Sequence, residues 1–213
     1  MHKAYLFDFD GTLVDSMPTW SEKVLGVLRA CEISYPDGIL KILTPLGDAG
    51  VLRYYREKMG VTLSDEEMTA MMDAYALPRY RDEIPLKAGV LDYLLRLRAA
   101  GISVNVLTAS PHKMLDPCLL NNGIFHLFDH VWSSDDFPST KADPKTYLEA
   151  CARLGILPEE TVFLDDNVGA VRAAAEAGLF TVGVYDASGE SFTEELRAAA
   201  DAYSLSFENE MIF

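Results

Sequence analysis

Cysteine is scarce in this chain. Its 213 residues include three, Cys31, Cys118 and Cys151, far apart and with no Cys-x-x-Cys spacing. That pattern supports neither a disulfide framework nor a zinc site, and reduced, buried thiols are expected. Positive charge is also in short supply: 18 Lys and Arg stand against 33 Asp and Glu, for a formal charge of -15. Such a surface repels nucleic acid and anionic membranes, so neither is an expected partner. An anionic small molecule would need a local cation to enter, which a bound metal could supply. No apolar run is long enough to span a bilayer. The first expected strand begins at Ala4, which leaves no room for a signal peptide ahead of it, so a cytoplasmic location is expected. Internal repeats and low-complexity segments are missing as well. The apolar fraction of 49% and charged fraction of 24% are ordinary for a globular protein. The length suffices for one good core and a small accessory domain.

Two patterns alternate along the chain. Ala4-Tyr5-Leu6-Phe7 is a short apolar run ended by Asp and Gly, the mark of a buried strand. From Asp15 the period becomes helical, through Trp20, Val24, Val27 and Leu28, then a short piece around Ile39 to Leu43. A loop is expected over residues 44–50, a helix from Val51 to Met59, and another helix opened by the capping box Ser64-Asp65-Glu66-Glu67. No convincing strand falls between Asp15 and about Pro85. Beyond it, strands at Ile102–Leu107, Val131–Trp132, Thr161–Leu164 and Phe180–Val184 alternate with helices stopped at Gly101, Asn122-Gly123, Gly155 and Gly178, and a last helix is expected over Phe192–Ala202. This alternation implies a parallel sheet with right-handed crossovers. The expected fold is α/β, a Rossmann-like doubly wound parallel sheet with an inserted all-helical domain.

The chemistry concentrates where strands end, which is the ligand-binding edge of open α/β sheets. Asp8 and Asp10 follow the first strand two residues apart, so with strand geometry maintained both project to the same side. Carboxylates held so close repel unless a cation or a proton lies between them. A divalent metal, an acid/base pair, or both are implied. Thr108 ends the second strand, a position where a hydroxyl is common in turns. Lys141 precedes a helix opened by Pro144. Asp165 and Asp166 end the fourth strand, and one helix cap needs only one side chain. Carboxylates without nearby His or Cys favour Mg²⁺ over zinc.

The string Asp8-Phe9-Asp10-Gly11-Thr12-Leu13-Val14-Asp15-Ser16 resembles the signature of the haloacid dehalogenase superfamily, in its phosphohydrolase branch. Three further motifs match in order: Leu107-Thr108-Ala109-Ser110, Lys141-Ala142-Asp143-Pro144-Lys145-Thr146-Tyr147, with Ala142 at the usual proline, and Asp165-Asp166-Asn167, with Asp165 where many relatives carry Glu or Gly. The resemblance implies a core of residues 1–14 and 88–213 and a helical cap of residues 15–87 that closes over the site. It implies Asp8 as nucleophile, Asp10 as acid and base, Thr108 and Lys141 on the phosphoryl oxygens, and Mg²⁺ held by Asp8, the Asp10 backbone carbonyl, Asp165 and Asp166. To act as an acid, Asp10 needs an environment that raises its pKa. An acid two residues after the nucleophile argues for C–O–P chemistry over dehalogenation. The implied activity is a Mg-dependent phosphatase acting on a small-molecule phosphate ester, from a monomer or weak dimer. The alternatives are a phosphomutase similar to β-phosphoglucomutase and, in another class, a binding protein without catalysis. In the cap, the loop around Pro45-Leu46-Gly47 and residues Trp20, Arg53, Arg56, Arg79 and Arg81 are candidates for leaving-group contacts, although core packing or a solvated helix face is the better explanation of each of these five residues.

Overall fold

A computed structural model describes residues 2–208. Six parallel strands form one sheet: β1 (Ala4–Phe7), β2 (Ser103–Thr108), β3 (His130–Ser133), β4 (Thr161–Asp165), β5 (Phe180–Val184) and β6 (Ala202–Ser204). Their order is β3-β2-β1-β4-β5-β6. All four residues of β1 are buried, as expected of a central strand covered on both faces. Helices α1 (Met17–Ala30), α2 (Leu40–Leu43), α3 (Gly47–Lys58) and α4 (Asp65–Asp82) all lie between β1 and β2 in the chain. The remaining helices are α5 (Val90–Ala99), α6 (His112–Asn121), α7 (Pro144–Leu154), α8 (Val168–Glu176) and α9 (Thr193–Ala199). No helix among the described residues is long and apolar enough to cross a membrane. The sheet is the α/β core that the alternation implied.

Two expectations need correction. Residues 44–50 are helical: a 3-10 turn covers Thr44–Leu46 and α3 starts at once at Gly47. Gly47, at φ +61, lets the chain change direction there without an intervening loop, and Asp48 occupies the first turn, where an acid suits the helix dipole. At the other end, the last helix stops at Ala199, and β6 pairs with β5. Three residues are too few to display an alternating pattern. The Ser64 capping box is formed in both directions, with the Ser64 hydroxyl accepting from Glu67 N and the Ser64 N–H donating to Glu67 Oε2. Cys118 and Cys151 are buried free thiols, and Cys31 is half-buried.

The apolar interior divides within α4. Met68 and Met72 pack with Trp20, Val24, Leu28 and Tyr55 in a cluster made only of residues of the inserted segment. Ala76 and Tyr80, one and two turns further on, pack with Phe7 and Val106 of the sheet and with Phe9 just beyond β1. The insertion's last helix is thus anchored in the core. Its two connections lie side by side: Asp15 N donates to Pro85 O (3.0 Å), Lys87 N to Leu13 O (3.0 Å), and Val14 bridges Leu86 antiparallel.

Candidate active site

Strand register brings the first two acidic positions together. Phe7 is paired with Leu164, and Asp8 N donates to Leu164 O (2.9 Å), so Asp8 stands beside Asp165 at the carboxyl edge. The chain runs from β1 to β2 on one flank and returns to β4 on the other, so these residues occupy the switch point of the sheet. Asn167 takes over the capping of α8, its Oδ1 accepting from Gly169 N (2.9 Å) and Ala170 N (3.2 Å). Asp165 and Asp166 are thereby free of that duty.

Lys141 is the cation of the cluster. Its Nζ lies 2.5 Å from Asp8 Oδ1 and 2.5 Å from Asp165 Oδ2, and the residue is buried. The second contact is an ion pair, and Asp165 Oδ2 is buried with no partner besides that ammonium. Asp165 Oδ1 accepts from Asn167 N (2.7 Å). The segment bearing Lys141 is fixed by Tyr147, whose hydroxyl lies 2.9 Å from Lys141 O and 3.1 Å from Ala170 O, and by Thr146 Oγ1 donating to Thr140 O (2.8 Å). Burial opposes the Lys141 charge, but Asp165 and Asp8 outweigh it and hold its pKa above the ordinary value. Burial and then Asp165 raise the Asp8 pKa, against the pull of Lys141. Asp166 is raised too, by burial, Asp165 and Asp8.

Asp8, Asp165 and Asp166 each offer a carboxylate oxygen, all within 4.8 Å of one another. Three carboxylates against one ammonium leave a net charge deficit that a dication would fill. The donors are hard oxygens, and one buried oxygen has no hydrogen bond. This set fits a divalent metal such as Mg²⁺ or Ca²⁺. Gly11 is required here: at φ +71, an added Cβ would come within 2.6 Å of Asp166 Oδ2.

Asp10 belongs to a different environment. Strand geometry ends at Phe7, so the condition under which Asp8 and Asp10 would project to the same side is not met, and the two have different hydrogen-bond partners. Asp10 Oδ1 accepts from Ser16 Oγ (2.6 Å) and Tyr80 Oη (2.6 Å), and Oδ2 accepts from Ser110 Oγ. Burial raises the Asp10 pKa, the direction expected of an acid, while the three hydroxyls oppose it. Thr108 is buried, its Oγ1 accepting from Ser110 N (3.1 Å).

Sequence reasoning missed Tyr80, Ser110 as a partner of Asp10, and Lys87. Ser110 lies two residues beyond Thr108 and could have been suspected. Tyr80 is 70 residues from Asp10 and reads as an apolar core position. The Lys87 ammonium donates to Gly11 O (2.6 Å), Tyr185 O (2.6 Å) and Asp186 Oδ2 (3.1 Å), tying the return connection to the loop against Asp166. The cap candidates are dispersed. Trp20 is buried and donates to Asp48 Oδ1 (2.9 Å); Arg53 is exposed; Arg56 pairs with Asp65 (3.1 Å). Arg79 lies 3.8 Å from the Tyr75 ring centroid, and Arg81 pairs with Asp82.

Known proteins share this architecture and sequence. The model of the haloacid dehalogenase-like hydrolases matches residues 2–178. A validoxylamine A 7'-phosphate phosphatase of Streptomyces hygroscopicus subsp. limoneus is 28% identical over 205 residues, covering 95% of this chain and 92% of the relative. A phosphoglycolate phosphatase of Salmonella typhimurium is 31% identical over 200 residues, covering 84% and 79%. Among solved structures, CbbY from Rhodobacter sphaeroides in complex with phosphate superposes with a TM-score of 0.83 at 24% identity, over 98% of this chain and 96% of that one. With the four motifs assembled at one sheet edge and the match extending over most of its length, the chain belongs to the haloacid dehalogenase-like hydrolases.

Proposed function

We propose that this hydrolase is a Mg²⁺-dependent phosphatase of small phosphate monoesters, with Asp8 as nucleophile. The observation that carries this reading is the placement of Asp8 at the switch point, within one charged cluster with Lys141, Asp165 and Asp166. The phosphatase names of the relatives support the same reaction class. Asp8, Asp165, Asp166 and the Asp10 carbonyl would hold Mg²⁺. When bound, the ion neutralises the carboxylates and phosphate so that two anions can approach.

Lys141 engages Asp8 Oδ1, which leaves Oδ2 to attack phosphorus in line. The P–O bond to the leaving group breaks as the Asp8–phosphate bond forms. Asp10, protonated, donates its proton to the departing alkoxide. It then takes a proton from the water that attacks phosphorus, releasing phosphate and restoring Asp8. Thr108 Oγ1 accepts from Ser110 N, so its own proton remains to bind a phosphoryl oxygen beside Lys141. Residues 15–87 act as the cap that excludes bulk water, turning on the paired connections at Asp15–Pro85 and Leu13–Lys87.

The test is phosphate release from a panel of small phosphomonoesters, with and without Mg²⁺, for wild type and Asp8→Asn. Metal-dependent release that falls by about 10⁴-fold or more in the variant is the expected result. Isomerisation of a hexose 1-phosphate in place of net release would overturn it in favour of a mutase. Mg²⁺ binding without turnover of any kind would leave a binding protein.

A further inference from the structure

Two helices frame the acid. Tyr80 of α4 donates to Asp10 Oδ1 (2.6 Å), and Ser110, two residues ahead of α6, donates to Oδ2. These helices are tied to each other at both ends. Beyond the end of α4, Ile84 O accepts from Asn122 Nδ2 (3.0 Å) at the end of α6. At the other end, the Lys113 ammonium donates to Asp73 Oδ2 (2.5 Å). Between the two ties, Ala76 and Tyr80 belong to one apolar cluster with Met114, Leu115 and Cys118 of α6. Asp73, Ala76 and Tyr80 follow at helical spacing, so Asp73 prolongs the strip of α4 that faces α6.

Local helix energetics do not account for the Asp73–Lys113 pair. Lys113 stands in the first turn of α6, which holds no acid and where a cation opposes the helix dipole. The two side chains are 22% and 45% exposed, and such a pair adds little to stability. What it does supply is direction. Apolar contact between helices is non-directional and leaves their sliding position loosely defined. A short ion pair with hydrogen-bond geometry is satisfied at one register only. Lys113 lies three residues from Ser110, and Asp73 lies two turns from Tyr80. The register of α4 on α6 therefore sets the spacing of the two hydroxyls that grip opposite oxygens of Asp10.

We propose that Asp73 and Lys113 are positioning residues: their ion pair fixes the register of α4 on α6 and, through Tyr80 and Ser110, the orientation in which Asp10 meets the departing oxygen. The inference rests on the phosphatase reading above. The pair acts only through the acid, so its effect is confined to the step in which Asp10 gives up its proton. An alkyl leaving group needs that proton as its P–O bond breaks. A p-nitrophenolate is stable as an anion and departs without one.

The experiment measures kcat and KM at low salt for p-nitrophenyl phosphate and for the alkyl monoester hydrolysed fastest in the panel above. Wild type, Asp73→Asn, Lys113→Met and the charge-swapped Asp73→Lys/Lys113→Asp are assayed together. The swap retains an ion pair between the helices, so a folding defect in a single variant does not hide the answer. Each single variant is expected to lower the alkyl-to-aryl ratio of kcat by about fivefold, with KM changed less than about twofold. The swap should bring that ratio back to within about twofold of wild type. Equal losses on both esters, or an unchanged ratio, overturn the proposal, as does a swap in which the ratio stays low. Wild type that hydrolyses the aryl ester alone also overturns it, while leaving Asp8 as nucleophile. Failure to release phosphate from every ester, p-nitrophenyl phosphate included, overturns the phosphatase reading and this proposal with it.

Discussion

Asp8 and Asp10 are separated by one residue, and burial raises the pKa of each. Yet Asp8 is held by charge, between the Lys141 ammonium and two further carboxylates, whereas Asp10 is held by three neutral hydroxyls. The chain origins of the partners differ as well. Lys141, Asp165 and Asp166 come from the sheet edge, while two of the three hydroxyls, Ser16 and Tyr80, come from the two ends of the inserted helical segment and only Ser110 follows a strand. A cluster with excess negative charge is built to receive a cation. A carboxyl ringed by hydroxyls, each able to donate or accept, keeps hydrogen-bond partners whether or not it carries its proton. One wall of the site thus suits the electrophile and the other the proton.

Breaking the charged wall gives the largest expected effect. Lys141→Met leaves Asp8 and Asp165 buried without their cation and should cost about 3–5 kcal/mol in urea unfolding with EDTA present. Mg²⁺ should restore part of that loss, since a dication can replace the missing charge among three carboxylates. A loss below about 1 kcal/mol, or one insensitive to Mg²⁺, would show that the wall is not held by charge.

On the hydroxyl wall, Tyr80→Phe removes one of three donors. The expected cost is smaller, about 1–3 kcal/mol, and should be the same with and without Mg²⁺. The proton chemistry should move instead. Hydroxyl bonds stabilise the Asp10 carboxylate and lower its pKa, so losing one raises it further and shifts the alkaline limb of kcat to higher pH. An unmoved limb would separate Tyr80 from the acid.

Lys87 sharpens the boundary between the walls. Its Nζ donates to Gly11 O, and Gly11 packs directly on Asp166. As a positioning residue, Lys87 acts through that peptide. Lys87→Met should weaken Mg²⁺ by about tenfold, read from the Mg²⁺ dependence of the melting temperature. Tighter Mg²⁺ binding would show that Lys87 supplies only an opposing charge.

The same contrast explains what was legible in the sequence. Part of the charged wall follows from local pattern: Asp8 and Asp165-Asp166 each lie at the end of an apolar run, and parallel register brings those ends together, while Lys141 stands out as the cation ahead of the helix opened by Pro144. The four strands expected after Pro85 have the core of their runs in β2 to β5. The hydroxyl wall depends on tertiary packing. Tyr80 reaches Asp10 only because the last turns of α4 sink into the sheet's apolar cluster, and no periodicity reports which helix end will dock. The helical conformation of residues 44–50 was hidden for a related reason, since Pro45 and Gly47 read as a loop. β6 was hidden by length alone.

The smallest effect tests whether charge or burial distinguishes the walls. His112 opens α6 with both ring nitrogens engaged, Nδ1 2.8 Å from Asp116 Oδ1 and Nε2 2.9 Å from Asp136 Oδ2. This cluster is as ionic as the one around Lys141, but its side chains are 35–41% exposed. Hydrogen bonds to Asp116 and Asp136 raise the His112 pKa above its ordinary value. The folded state therefore binds the proton more tightly, and the stabilisation is complete below the unfolded value of about 6.5 and disappears as pH rises through the folded one. Solvent screening limits it to about 0.5 kcal/mol or less. His112→Gln should thus melt slightly below wild type at pH 5.5 and together with it at pH 9, in contrast to the several kcal/mol expected at Lys141. An equally large loss at His112 would mean that ionic pairing alone, without burial, holds the charged wall together.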